Sequence, residues 1–120
     1  GTFQVFVGGD KLALEGLKRG LDGSVTGGGN PFPEWLVSSF RSFQAGDLTT
    51  AATCQSYLEL WSHFRKQHDW GEIALTKVAL RTRLPDFPIM VRPPLPMLEP
   101  SRLATVGSFV QEISKQLTLC

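Results

Sequence analysis

The first 46 residues alternate between two patterns of burial, and this alternation constrains the fold more than any other feature of the chain. Residues 3–7 (FQVFV) are apolar and partly β-branched and stop at Gly8-Gly9, as a short buried strand does. Leu14, Leu17 and Leu21 follow at helical spacing, with Asp10 placed to cap a helix over residues 10–19 and Gly20 to end it. Residues 23–26 (GSVT) read as a second strand, and residues 27–31 (GGGNP) as the loop that leaves it. Pro33 suits the first turn of a further helix, with Leu36, Phe40 and Phe43 on one face until Gly46. Strand, helix, strand, helix with short connections implies parallel βα units. Parallel sheets are covered on both faces and need several strands, so two such strands predict part of a larger sheet.

After Asp47 the pattern is helical throughout. Ala51, Cys54, Leu58 and Trp61 recur at three- and four-residue steps. The spacing predicts a shorter helix over residues 70–81, and a last one, capped by Ser101, carrying Leu103, Val106, Val110, Ile113 and Leu117. Between them the prolines of LPDFPIMVRPPLPMLEP forbid a helix and predict an extended strap across the surface. These patterns divide the chain into residues 1–46, two βα units, and residues 47–120, a helical extension.

Composition excludes more than it assigns. A chain of 120 residues with 42% hydrophobic and 19% charged residues and a net charge of +1 is not disordered, and it lacks the basic surplus that attracts nucleic acid or an anionic membrane. No run approaches the ~20 apolar residues of a membrane span, and a cytoplasmic protein is expected. Cys54 and Cys120 form no CxxC pair and are too few for a disulfide framework, so reduced thiols are expected.

In βα architectures ligands meet the chain in the loops that follow the strands. Here those loops are Val7-Gly8-Gly9-Asp10 and residues 25–30 (VTGGGN). Their glycines either make tight turns or let main-chain groups approach a ligand, and both loops feed helix N-termini that favour an anion. Neither is a Walker loop, since no Lys-Ser or Lys-Thr follows. His63 and His68, five apart, are wrongly spaced to share a helical face as metal ligands. Trp61, Phe64 and Trp70 belong to internal packing or to a subunit interface. No hydrolase triad is recognisable.

The string VFVGGDKLALEGLKRGLDGSVTGGGNPFPEWL resembles the seventh and eighth βα units of the dihydrodipicolinate synthase / N-acetylneuraminate lyase barrels. AGDLTTAATCQSYL is similar to a helix of that family, and ALTKVAL with the later VRPPLPML to its tail. The resemblance implies the C-terminal part of a (β/α)8 barrel, strands seven and eight with their helices, followed by a helical extension. It implies a class I lyase or aldolase in which a lysine forms a Schiff base with pyruvate or another 2-oxo acid, without a cofactor. The family's lysine and its assisting tyrosine would precede Gly1, leaving this piece alone inactive and without a catalytic residue or a metal ligand. Lysines 11, 18, 66, 77 and 115 fall on helices and are read as solvated or structural.

The resemblance carries over a substrate-binding set of Gly8, Gly9, Asp10, Val25 and Gly27. Gly8 matches the turn glycine beside the substrate. Asp10 matches an acidic position that contacts substrate hydroxyls in neuraminate lyases, and its role as helix cap competes with that reading. Val25 matches a position whose main-chain carbonyl faces the active site. Gly27 stands where neuraminate lyases place a serine, and Lys11 where they place a glutamate. Both departures argue against sialic acid, and Gly27, Gly28 and Gly29 are expected to leave room on that wall, which would suit a sugar-derived 2-keto-3-deoxy acid. The expected partners are that small 2-oxo acid, the rest of the barrel and further copies in a dimer or tetramer, with no nucleic acid and no membrane. Two other classes remain: a non-catalytic lyase-like binder of 2-oxo acids or sugar acids, and a small domain that completes its sheet with other chains.

Overall fold

In a computed structural model, the structure describes residues 3–119, without the Leu119 side chain; Cys120 lies outside the described residues. Strand β1 (Phe6–Gly8) is followed by a 3-10 turn (Asp10–Leu12) and helix α1 (Ala13–Lys18). Strand β2 (Gly23–Val25) then leads to four helices: α2 (Pro33–Gln44), α3 (Leu48–His68), α4 (Glu72–Arg83) and α5 (Pro100–Ser114). A second 3-10 turn, Lys115–Leu119, closes the order. The two strands pair in parallel, with Phe6 opposite Gly23, Val7 opposite Ser24 and Gly8 opposite Val25. The chain is thus α/β and mostly helical, with a β-α-β unit at its start.

The run at residues 3–7 predicts a strand that begins three residues and ends one residue before the observed one, Phe6–Gly8. Only the stretch opposite Gly23–Val25 finds a partner, and Val5 is tied instead to Asp22, its N–H donating to Oδ2 at 2.7 Å. Both strands are poorly covered: Phe6 is 52% exposed and Val25 72%. A parallel sheet in a finished core is buried on both faces, so this pair is open where neighbouring strands and helices would lie.

The core sits among the helices. Phe32 stacks on Trp35 with ring centroids 4.4 Å apart, Trp61 meets Phe32 edge-on at 5.7 Å, and Phe64 stacks on Phe109 at 4.0 Å. Leu75, Val106 and Val110 pack into the same cluster. On α3 the expected stripe of Ala51, Cys54, Leu58 and Trp61 is fully buried. On α2 the inward positions are Trp35 and Ser39; Leu36, Phe40 and Phe43 are half-buried. Leu36 and Phe40, with Phe6, Leu14 and Leu17, line an apolar groove of about 270 Å³ beside the sheet.

Caps decide where the helices stop and start. Asp47 begins α3 by accepting from the Thr50 N–H at 3.0 Å and the Thr50 hydroxyl at 2.5 Å. Asp69, in the left-handed region at φ 48°, ends it. Helix α5 starts at Pro100, after an extended Glu99, so Ser101 is not its cap; proline's fixed φ serves the first turn without a side-chain acceptor. Residues 84–99 form the expected extended strap, held by Lys77 and Arg81, whose side chains donate to the carbonyls of Met90 and Phe87. Cys54 is disulfide-bonded rather than a reduced thiol.

Arg83 clips the loop after β2 to α4. Its guanidinium donates to the Pro31 carbonyl and to both carboxylate oxygens of Glu34, and lies 5.6 Å from the Phe32 ring centroid. The hydrogen bonds from Arg83 hold the Glu34 carboxyl below its usual value of 4.5. A folded-state value below the unfolded one means that the unfolded chain binds more protons, so this pair stabilises the fold above the usual value and loses its effect as pH falls through the lowered one. Glu34→Gln is therefore expected to lower the thermal midpoint at neutral pH, with the gap to wild type closing in acid; a gap independent of pH would refute the pairing. In the core, Trp61→Ala is expected to cost about 3–5 kcal/mol in urea unfolding, whereas Leu60→Ala, on the exposed side of the same helix, stays within about 0.5 kcal/mol.

Candidate functional site

Parallel pairing in register places the ends of β1 and β2 side by side, and with them all five residues singled out from the sequence. Gly8 and Val25 are directly opposed as the last residues of their strands. Gly9 follows at φ 105°, a conformation that a side chain would strain, and turns the chain into the 3-10 turn. Gly9, Asp10 and Gly27 line one cleft of about 480 Å³ together with Gly28, Lys11, Lys66 and Arg65. Gly27 also borders a second cleft of about 490 Å³ with Asn30, Glu72, Thr76 and Lys77, and Arg65 and Glu72 line both.

Asp10 does not cap a helix. It sits inside the 3-10 turn with its side chain 6% exposed, and that turn has no side-chain cap. One carboxylate oxygen accepts from the Gly28 N–H at 3.2 Å; the other pairs with Nη2 of Arg65, a residue of α3 that is equally buried. Arg65 Nη1 reaches Glu72 at 2.9 Å, and its guanidinium lies 5.6 Å from the Trp61 ring centroid. Gln55, one buried face of α3 away, donates to the Asp10 carbonyl at 2.8 Å and accepts from the Leu14 N–H at 3.3 Å. The long helix therefore grips the turn after β1 by both main chain and side chain, and through Asp10 it also holds the loop after β2.

Glycine at position 28 is required by that grip. A Cβ there would lie 2.0 Å from Asp10 Oδ2 and 2.7 Å from Arg65 Nη2. At Gly8 and Gly27, by contrast, a Cβ would meet nothing within 4 Å. Gly29 is closed as well, since a Cβ there would lie 2.8 Å from Thr26 Oγ1 and 2.9 Å from Leu36 Cδ2, so of residues 27–29 only Gly27 leaves the room that the sequence suggested for all three.

Gly28 is noticed in the sequence only as one of the loop glycines, and Arg65 and Gln55 escape notice there. Their signal lies in α3, where Gln55, Ser62 and Arg65 fall in register with the apolar stripe, so polar groups are carried into the interior where each needs a partner. The histidines share no site: His68 is packed between the rings of Phe64 and Trp70, at 4.4 and 4.3 Å. Among the described residues no cluster of three or more His, Cys, Asp or Glu is placed to hold a metal ion, and no helix is long and apolar enough to cross a membrane.

Two glycine loops at the ends of adjacent parallel strands occupy the place where α/β folds receive ligands. No protein-family model matches the chain. A probable 2-dehydro-3-deoxy-D-pentonate aldolase of Escherichia coli (strain K12), YjhH, is 40% identical over 57 residues, 48% of this chain and 19% of the relative. The fold is that of part of YagE, an E. coli K12 prophage protein of the dihydrodipicolinic acid synthase family solved in complex with pyruvate. There the TM-score is 0.78 at 23% identity, covering 93% of this chain and 37% of that one. The chain is thus similar in sequence to part of a probable aldolase and in fold to part of a dihydrodipicolinic acid synthase family protein. It spans about a fifth of the length of the curated relative and little more than a third of the solved one.

The two kinds of glycine separate in a simple measurement. Gly28→Ala is expected to destabilise the protein by about 1–3 kcal/mol or more in chemical unfolding, because the loop must move off a buried carboxylate. Gly27→Ala is expected to be neutral or to stabilise by up to about 1 kcal/mol. Equal effects at the two positions would refute the assignment.

Proposed function

We propose that residues 1–46 are the last two βα units of a (β/α)8 barrel, strands seven and eight, and that residues 47–120 are its helical extension. On this reading the whole protein is a 2-oxo-acid aldolase or lyase. The observation that carries it is the open parallel pair: two glycine loops meet at one end of a sheet whose exposed flank calls for further strands. The kinship with a probable aldolase and with a protein solved in complex with pyruvate supports the substrate class.

The chemistry is that of an imine. A lysine amine condenses with the ketone of the 2-oxo acid and releases water. The protonated imine draws electrons from the adjacent carbon, so a bond to that carbon breaks or forms, and hydrolysis returns the amine. That lysine is assigned to the part of the barrel before Gly1. Of the lysines here, Lys77 is bonded to the Met90 carbonyl and Lys115 to Glu112. Lys11 and Lys66 line a cleft but are exposed, outside the apolar surroundings that activate an imine-forming amine. The substrate-facing set is Gly8, Gly9, Val25 and Gly27. Asp10, whose two oxygens are already engaged, serves by shaping the wall. The open space at Gly8 and Gly27 suits a sugar-derived 2-keto-3-deoxy acid, and the same reading makes the protein a cytoplasmic homo-oligomer.

The test is borohydride reduction in the presence of pyruvate. The full-length protein is expected to gain the mass of one reduced pyruvyl group on a lysine outside this segment, and the 120-residue piece to gain none. An adduct on lysine 11, 18, 66, 77 or 115 would overturn the placement. A full-length protein that binds pyruvate and traps none would instead be a non-catalytic binder.

A further inference from the structure

Arg65 has no part in the imine chemistry itself, yet it lines both clefts and is engaged on every side. Its side chain is 5% exposed. It holds Asp10 and Glu72 at once and rests against Trp61. A buried ion pair rarely gains net stability over apolar residues of the same size, since both ions must leave water. What such a pair does supply is direction. Arg65 offers a planar fork that fixes the angle as well as the distance of its partner. Asp10 passes that constraint to the Gly28 N–H, and Gln55 fixes the Asp10 main chain from the same helix. The separation of the loop after β1 from the loop after β2 is thereby set by α3.

We infer that Arg65 is a positioning residue: acting through Asp10, it fixes the width of the wall formed by residues 8–10 and 25–29, against which the part of the substrate remote from the ketone is received. The inference takes its substrate from the preceding proposal, whereas the loop geometry stands independently of it. Arg65→Lys keeps a charge beside Asp10 but loses the fork, so no bare carboxylate is left in the interior. The double variant Asp10→Asn with Arg65→Gln replaces the ion pair by neutral amides that can retain the same contacts.

Both variants of the full-length protein are to be compared with wild type using pyruvate and glycolaldehyde, the fragments into which a five-carbon 2-dehydro-3-deoxy acid divides. In Arg65→Lys the KM for glycolaldehyde is expected to rise roughly tenfold, since small misplacements of a substrate wall are costly, while pyruvate trapping proceeds at the wild-type rate. Amide exchange at residues 8–10 and 27–29 quickens, and that of α4 and α5 does not change. The double variant returns both readouts most of the way to wild type. Unchanged loop exchange and unchanged KM in Arg65→Lys would overturn the inference. So would a parallel fall of KM performance, trapping and exchange protection throughout the chain, which marks a role in stability alone. If the wild type itself traps no pyruvate, the proposed aldolase falls, and the exchange measurement still decides whether Arg65 sets the loops.

Discussion

A guanidinium and a carboxylate, 55 residues apart in the chain and both withdrawn from water, hold the functional end of this structure together. Neither group can be buried alone. An isolated ion in a protein interior costs several kcal/mol, and removing one partner of such a pair typically costs about 3–5 kcal/mol. The pair therefore couples two events: α3 must dock on the 3-10 turn for Asp10 to be neutralised, and the turn must form for Arg65 to find its partner. Gly28 completes the arrangement, because only a residue without a side chain can pass within hydrogen-bonding distance of Asp10 at that point. The result is a rigid corner in which a long helix, a tight turn and a glycine loop share one electrostatic centre.

The apolar core lies elsewhere, and this distribution is informative. Large aromatic residues are concentrated among the helices, where Phe32, Trp35, Trp61 and Phe64 belong to one buried cluster. The sheet contributes little to that core: its strand residues are largely exposed and an apolar groove runs beside them. In a complete parallel sheet the strands are the most buried elements. Helical packing thus stabilises the piece, while the strands keep their geometry mainly through the ladder and through the grip of α3 on the turn between them.

The element order was legible from periodicity because each apolar stripe on α3 and α5 has a single buried side, and the glycines and prolines that interrupt the stripes act locally. Strand limits were less legible. Whether residues 3–5 pair depends on a neighbour, and their own β propensity cannot supply one. The stripe on α2 was legible, but not that it lies beside the most buried face of the helix. Leu36, Phe40 and Phe43 do form a helical stripe, but the helix turns Trp35 and Ser39 inward, and the leucine and first phenylalanine border the uncovered groove. Of the candidate site, the strand-end glycines were readable because βα chemistry gathers at strand ends. The Asp10–Arg65 pair was not, because nothing in a sequence of this kind states which of several buried polar groups on one helix meets which loop.

Asp10 shows how one residue can fit two descriptions and satisfy neither as first written. A helix cap uses its carboxylate to accept N–H groups of the following turn, and a substrate ligand must leave that carboxylate accessible. Here the acceptor role is fulfilled across the cleft, on Gly28, and accessibility is lost to Arg65. The acidic group therefore acts on the site at one remove. It fixes where the open positions at Gly8 and Gly27 stand relative to each other, so discrimination on this wall falls to shape and main-chain groups. On the proposed function, a wall of that kind would accept substrates by the space they need, with the charged side chain engaged in holding the wall in place.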